Sequence, residues 1–162
     1  MAVFVRSLFV LLFALIATTL NAQEIKKVKI EEVVAYMKNS ERPQIVSFWA
    51  TWCIPCIHEI PWFQSAVEKN SDKKPELILV SLDFDESYPK KIAEFIKKKG
   101  FKATFFWLDE TNADHFCPMI DQKWEGGIPA TLFVNNKKNY RKFFARQLTD
   151  RQVEAEVKAL VE

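Results

Sequence analysis

Three cysteines are the only thiols in the chain, and two of them stand close together, Cys53 and Cys56 in the stretch WATWCIPCIHEIP from Trp49 to Pro61. Two thiols three positions apart can form a reversible disulfide, supply half of a metal site, or act as a structural staple. The neighbouring residues favour the first. A nearly continuous apolar run precedes the pair and a helical pattern follows it, so Cys53 opens a helix. The unpaired N–H groups and positive dipole end found there favour a thiolate. Cys53 is therefore expected to be exposed and to attack. Cys56, about a turn further in, is expected to have intermediate burial and a higher pKa, and to resolve the mixed disulfide. Pro55 fits a first helical turn, where its missing N–H has no partner.

Glu59 lies three residues beyond Cys56 and so shares its helix face. A partly buried carboxyl at that place could hold or pass the proton that Cys56 exchanges; an ordinary surface glutamate is the alternative. His58 points away from both cysteines and is expected to be exposed. Trp49 reads as core, and Trp52 as a flat apolar contact surface on the rim.

The elements that must position these groups follow from apolar periodicity. Ile25–Ile30 reads as an edge strand and Glu31–Lys38 as a helix. Gln44–Ala50 is a buried strand of the parallel kind, followed by a helix from Cys53 to Lys69 that contains Pro61. Leu77–Phe84 is a second buried strand, and Ser87–Lys99 an amphipathic helix stopped by Gly100. Thr104–Leu108 is strand-like, and Asn112–Ile120 a short helix. Thr131–Val134 and Tyr140–Arg146 form two strands joined by Asn135–Asn139, and Thr149-Asp150 caps a last helix, Arg151–Val161. Alternating elements that end in a hairpin imply an α/β fold with a central mixed sheet flanked by helices on both faces. The phenylalanine pairs Phe105-Phe106 and Phe143-Phe144 look core-forming.

Taken together, these residues resemble the thioredoxin superfamily. The features are a WCxxC at a strand–helix junction, Pro61 five residues beyond the second cysteine, and Ile128-Pro129 late in the chain. The resemblance is closer to exported thiol–disulfide oxidoreductases of the TlpA/ResA type, because Glu59 completes their CxxCxxE pattern. It spans most of the chain from about Ile25 onward. It implies a redox-active Cys53–Cys56 disulfide, catalytic roles for Cys53, Cys56 and Glu59, and substrate contacts from Trp52, Ile54, Pro55, Ile128 and Pro129. Ile128-Pro129 matches the cis-proline loop, whose backbone could pair with an extended substrate strand. No cofactor and no metal are implied. Two departures stand out. Ser47 occupies the place of a buried aspartate found in many thioredoxins, which leaves proton handling to Glu59 and water. The intervening dipeptide is Ile-Pro rather than Gly-Pro, so no reduction potential carries over.

The resemblance implies reduction of exported proteins, with apocytochrome c-type substrates among them and a thiol-type membrane electron donor. A net oxidant or isomerase is the alternative, because direction depends on a potential that ranges from about −270 to about −120 mV in related proteins. The N-terminus fits export. An apolar run from Leu8 to Ala17 follows Arg6; it is short for the roughly 20 residues of a membrane span but suits a signal peptide. Residues 1–22 are read as signal peptide or anchor and 23–162 as one thioredoxin-like domain, periplasmic or extracytoplasmic. A formal net charge of +2 gives no reason to expect nucleic acid as a partner, and the lysines of 90–99 read as a solvated helix face. A monomer is expected.

Cys117 makes the cysteine count odd. The favoured reading is a buried, inert thiol. Cys53, Cys56, His115 and Cys117 could alternatively form a Cys₃His zinc site, although Pro129 would shield the pair from a metal. A peroxidase of the peroxiredoxin class is disfavoured, since the Pro-x3-Thr-x2-Cys pattern is missing before Cys53. A domain that only binds, with idle thiols, is a third possibility.

Overall fold

The computed structural model describes residues 24–162; the expected export segment, residues 1–22, lies outside them. Six strands form one sheet: β1 (Ile25–Val28), β2 (Gln44–Trp49), β3 (Glu76–Ser81), β4 (Thr104–Leu108), β5 (Ala130–Asn135) and β6 (Tyr140–Phe144), in the order β1-β4-β3-β2-β5-β6. The first four run parallel, while β5 is antiparallel to both β2 and β6. The mixed sheet expected from the order of elements is thus present.

Every residue of β2 and of β3 is buried, as strands covered on both faces require. On one face Ile45 and Trp49 of β2 pack with α2 (Ile54–Lys69), α3 (Lys90–Lys99) and α5 (Asp150–Val161), through Ile60, Phe63, Ile92 and Val157. On the other, Val46 and Phe48 pack with α1 (Ile30–Lys38) and α4 (Ala113–Ile120), through Val33, Met37 and Phe116. Two apolar layers therefore sandwich the sheet, and β2 is buried between them.

Local chemistry sets the helix ends. Glu32 accepts the N–H of Lys29 at 2.9 Å and closes the start of α1. Thr149 and Gln152 cap α5 reciprocally, as the sequence indicates. Gly100, at φ +68°, ends α3 in a conformation that a residue with a Cβ adopts at a cost.

Two boundaries differ from expectation by three residues. The apolar run LILVSLDF leaves the sheet after Ser81: the Leu82 N–H still donates to the Trp49 carbonyl of β2, but the Asp83 carboxylate then takes the Thr51 N–H in place of a backbone carbonyl. The helix expected from Ser87 begins only at Lys90. A single 3-10 turn, Asp85–Ser87, and a cis Tyr88-Pro89 bond come first. The Tyr88 ring stacks on Trp107 at 4.4 Å and its hydroxyl donates to the Ile25 carbonyl; this contact holds the segment against the sheet.

Candidate active site

β2 ends at Trp49, and Cys53 caps α2 with extended backbone. Its N–H donates to the Ala50 carbonyl, and its carbonyl accepts the Ile57 N–H, so the chain passes from strand to helix in three residues. Pro55 lies in the first helical turn, which holds no acidic residue. Nothing there opposes the helix dipole at the sulfurs. Cys53 and Cys56 are joined, with an S–S distance of 2.00 Å and Cα atoms 5.3 Å apart.

In this oxidised form Cys53 is 5% exposed and Cys56 not at all, which corrects the expectation of an exposed first and a half-buried second sulfur. The bond draws the Cys53 sulfur toward Cys56, which is anchored in the core layer with Ile60 and Phe63. The residues between and beside them face out instead: Trp52 is 55% and Ile54 65% exposed, with Pro55 half-buried. Trp49 is fully buried and His58 exposed, both as expected.

Glu59 departs further from a surface glutamate. It is wholly buried on the Cys56 side of α2, where its Oε2 accepts the Leu148 N–H at 2.9 Å and its Oε1 has no partner. Burial pushes its pKa up to about 7, against the opposing effect of that single hydrogen bond. A carboxyl so placed exchanges a proton near neutrality. The hydroxyls of Ser47 and Thr131, which face each other across β2 and β5, are also buried without partners.

The loop before β5 brings in the third part. Ile128-Pro129 is cis; Ile128 is half-buried and Pro129 buried. The Trp124 indole donates to the Gly127 carbonyl at 2.8 Å while packing on Phe48 and Phe116, and this fixes the approach to the proline. Gly126 holds φ +88°, with Ala113 and Cys117 beneath it. Ile128 packs on both core layers, the first of which contains Cys53 and Cys56.

Sequence reasoning missed Asp83. It is 4% exposed, and its carboxylate accepts the Thr51 N–H at 3.1 and 3.2 Å, the Thr51 hydroxyl at 2.5 Å and the Ser81 hydroxyl at 2.7 Å. Its carbonyl accepts the Trp107 indole N–H at 2.8 Å. The loop that leads into Cys53 is thereby tied to the end of β3. The available signal was an acid inside the apolar run LILVSLDF.

Cys117 is 2% exposed and belongs to the layer on the opposite face of the sheet from the pair. Burial, helped by Asp114, pushes its thiol up to about 11. It is the buried thiol that was favoured. The Cys₃His grouping does not form, because His115 faces Glu31 at 3.0 Å. Glu31, Glu110 and His115 do place ligand atoms within 4.8 Å of one another, but Lys29 lies 4.0 Å from Glu110 and neutralises part of that charge.

A mixed sheet with helices on both faces, a paired CxxC at the start of a helix and a cis-proline loop together define a thioredoxin-like protein. A sequence model described as the AhpC/TSA family matches residues 14–142, and the chain belongs to that family. It is 30% identical over 115 residues to sporulation thiol-disulfide oxidoreductase A of Bacillus subtilis, covering 71% of this chain and 66% of that protein. It is 43% identical over 90 residues to thiol-disulfide oxidoreductase ResA of Oceanobacillus iheyensis, covering 56% of this chain and 42% of that one. The match thus spans less than two thirds of each relative's length. Among solved structures, a thioredoxin-related protein from Neisseria meningitidis serogroup B superposes with a TM-score of 0.61 at 21% identity, covering 75% of this chain and 86% of that chain. That likeness concerns the fold.

Proposed function

We propose that the chain is an extracytoplasmic thiol–disulfide oxidoreductase that reduces disulfides in exported proteins, apocytochrome c-type substrates among them. The Cys53–Cys56 disulfide at the helix start carries this reading. The names of the two relatives support the reaction class, and the N-terminal apolar run supports export, with residues 1–22 as signal or anchor and 23–162 as the working domain.

In the reducing direction the Cys53 thiolate attacks one sulfur of the substrate disulfide. A Cys53–substrate disulfide forms, and the other substrate sulfur leaves as a thiolate. Cys56, deprotonated, attacks the Cys53 sulfur and re-forms the internal bond, which releases the second substrate thiolate. Two electrons pass to the substrate; its two thiolates take up protons. Glu59, one turn below Cys56, accepts the Cys56 proton on the forward step and returns it when a membrane thiol donor reduces the pair. Trp52, Ile54, Pro55, Ile128 and Pro129 contact the substrate chain.

The direction is tested by the equilibrium potential of the pair, followed by tryptophan fluorescence in thiol–disulfide buffers with Cys117→Ala. A value near or below about −250 mV supports a reductant, whereas one near −120 mV makes the protein an oxidant. If no redox transition appears, the oxidoreductase reading is wrong.

A further inference from the structure

Among the described residues four large hydrophobic side chains are exposed, and three of them, Trp52, Ile54 and Phe84, belong to the segments around the disulfide. Phe84 is 66% exposed, and its ring stacks on Trp52 at a centroid distance of 6.3 Å and an interplanar angle of 22°. Free apolar surface of this kind is unfavourable in water unless something covers it. The stacking has a structural cause. Thr51 and Asp83 are the residues just before the two rings, and the Asp83 carboxylate binds both the N–H and the hydroxyl of Thr51. One buried carboxylate therefore clamps together the two backbone segments that carry the platform. Phe84 is followed by Asp85 and Glu86, both exposed, and neither makes an ion pair among the described residues.

We propose that the clamped Trp52–Phe84 pair, edged by Asp85 and Glu86, is a docking platform that selects the substrate segment. Its occupant is an extended, disulfide-bearing stretch of polypeptide with an aromatic or large aliphatic side chain next to the cysteine and a lysine or arginine beyond it. The apolar residue covers the two rings, and the base meets the carboxylates. This rests on the oxidoreductase reading above and assigns that activity a substrate class.

The test uses the protein reduced with dithiothreitol, freed of excess reagent and mixed with cyclic disulfide peptides. Two electrons pass from Cys53 and Cys56 to each peptide, and the peptide dithiol is quantified after acid quench. Four peptides vary the neighbour of one cysteine (Phe or Ser) and the residue beyond it (Lys or Glu), with hydroxyethyl disulfide as a reference lacking side chains. The Phe/Lys peptide is expected to react about 3- to 10-fold faster than the Ser/Glu peptide, the range that one aromatic contact provides. Phe84→Ser should lower the ratio of the Phe/Lys rate to the reference rate by a similar factor. The double change Asp85→Lys, Glu86→Lys should reverse the Lys-over-Glu preference, and salt should weaken it in the native protein. Equal rates for all four peptides, with hydroxyethyl disulfide still reduced, would overturn the platform and leave the oxidoreductase reading standing. Failure to reduce hydroxyethyl disulfide would overturn both. Concentration-dependent dimerisation abolished by Phe84→Ser would give the face to a second copy of the chain and would also overturn the proposal.

Discussion

The backbone N–H of Leu148 donates to Glu59 Oε2 at 2.9 Å, so the carboxyl one turn beyond Cys56 is held by the loop that leads into the last helix. Segments 89 residues apart in the sequence meet at the group best placed to hold a proton beside the disulfide.

That carboxyl makes stability depend on pH. Its folded pKa of about 7 lies above the value of about 4.3 for an unfolded glutamate. Between these values the folded chain holds a proton that the unfolded chain has lost, so stability falls as pH rises through the window, by about 4 kcal/mol at most. The contribution is full below the lower value and gone above the higher one. Glu59→Gln still accepts the Leu148 N–H but cannot ionise. Its denaturant midpoint should match the native one near pH 4 and exceed it near pH 8; parallel profiles would show that Glu59 is not the group responsible.

Removing the resolving sulfur should stop the cycle halfway. Cys56→Ser is expected to accumulate Cys53 joined to substrate, visible as an added mass that dithiothreitol removes. Cys53→Ser should form no such adduct, because Cys56 lies within α2 with no exposed surface, whereas Cys53 stands at the helix cap. An adduct on Cys56 instead would reverse the assigned roles.

Asp83→Ala leaves the Thr51 N–H, the Thr51 hydroxyl and the Ser81 hydroxyl without the acceptor they share. Stranded buried donors of this kind cost about 1–3 kcal/mol each before water enters. We expect a loss of about 2–4 kcal/mol in urea unfolding of the oxidised protein, with Asp83→Asn intermediate. A change under about 0.5 kcal/mol, the usual effect of a surface substitution, would mean that the loop holds itself.

At Gly126 the backbone conformation, more than the space, limits substitution. An added Cβ would touch Ala113 Cβ at 3.4 Å, an ordinary contact, but φ is +88°. Gly126→Ala should therefore cost about 1–2 kcal/mol and, by shifting the loop that ends in Pro129, slow peptide reduction more than reduction of hydroxyethyl disulfide. Equal slowing of both would place the defect in the sulfur pair and not in the loop.

The sequence made visible whatever depends on neighbours along the chain. The apolar run of β2, the helix after it, Pro55 in the first turn, and the Thr149 cap all follow from local pattern. What escaped depends on contacts between distant segments or on redox state. The helix pattern of Ile92 and Ile96 gives no sign that the helix begins only at Lys90, since Tyr88 is held by Trp107 and Ile25. Asp83 and Thr51 meet across parallel strands, a relation that no periodicity encodes. The burial of Cys53 belongs to the bonded state, and spacing alone cannot tell bonded from free. Glu59 was legible in position but not in depth: its spacing gives the helix face, whereas its complete burial depends on α5 packing against α2.

Cys117 lies behind the sheet, with one layer of hydrogen-bonded strands and the packed side chains of both faces between its sulfur and the pair. The sheet acts as a septum. Thiol–disulfide exchange needs sulfur-to-sulfur contact, so in the folded chain the third thiol cannot displace either sulfur of the bond at the front. The odd cysteine is thereby kept apart from the pair as long as the chain stays folded.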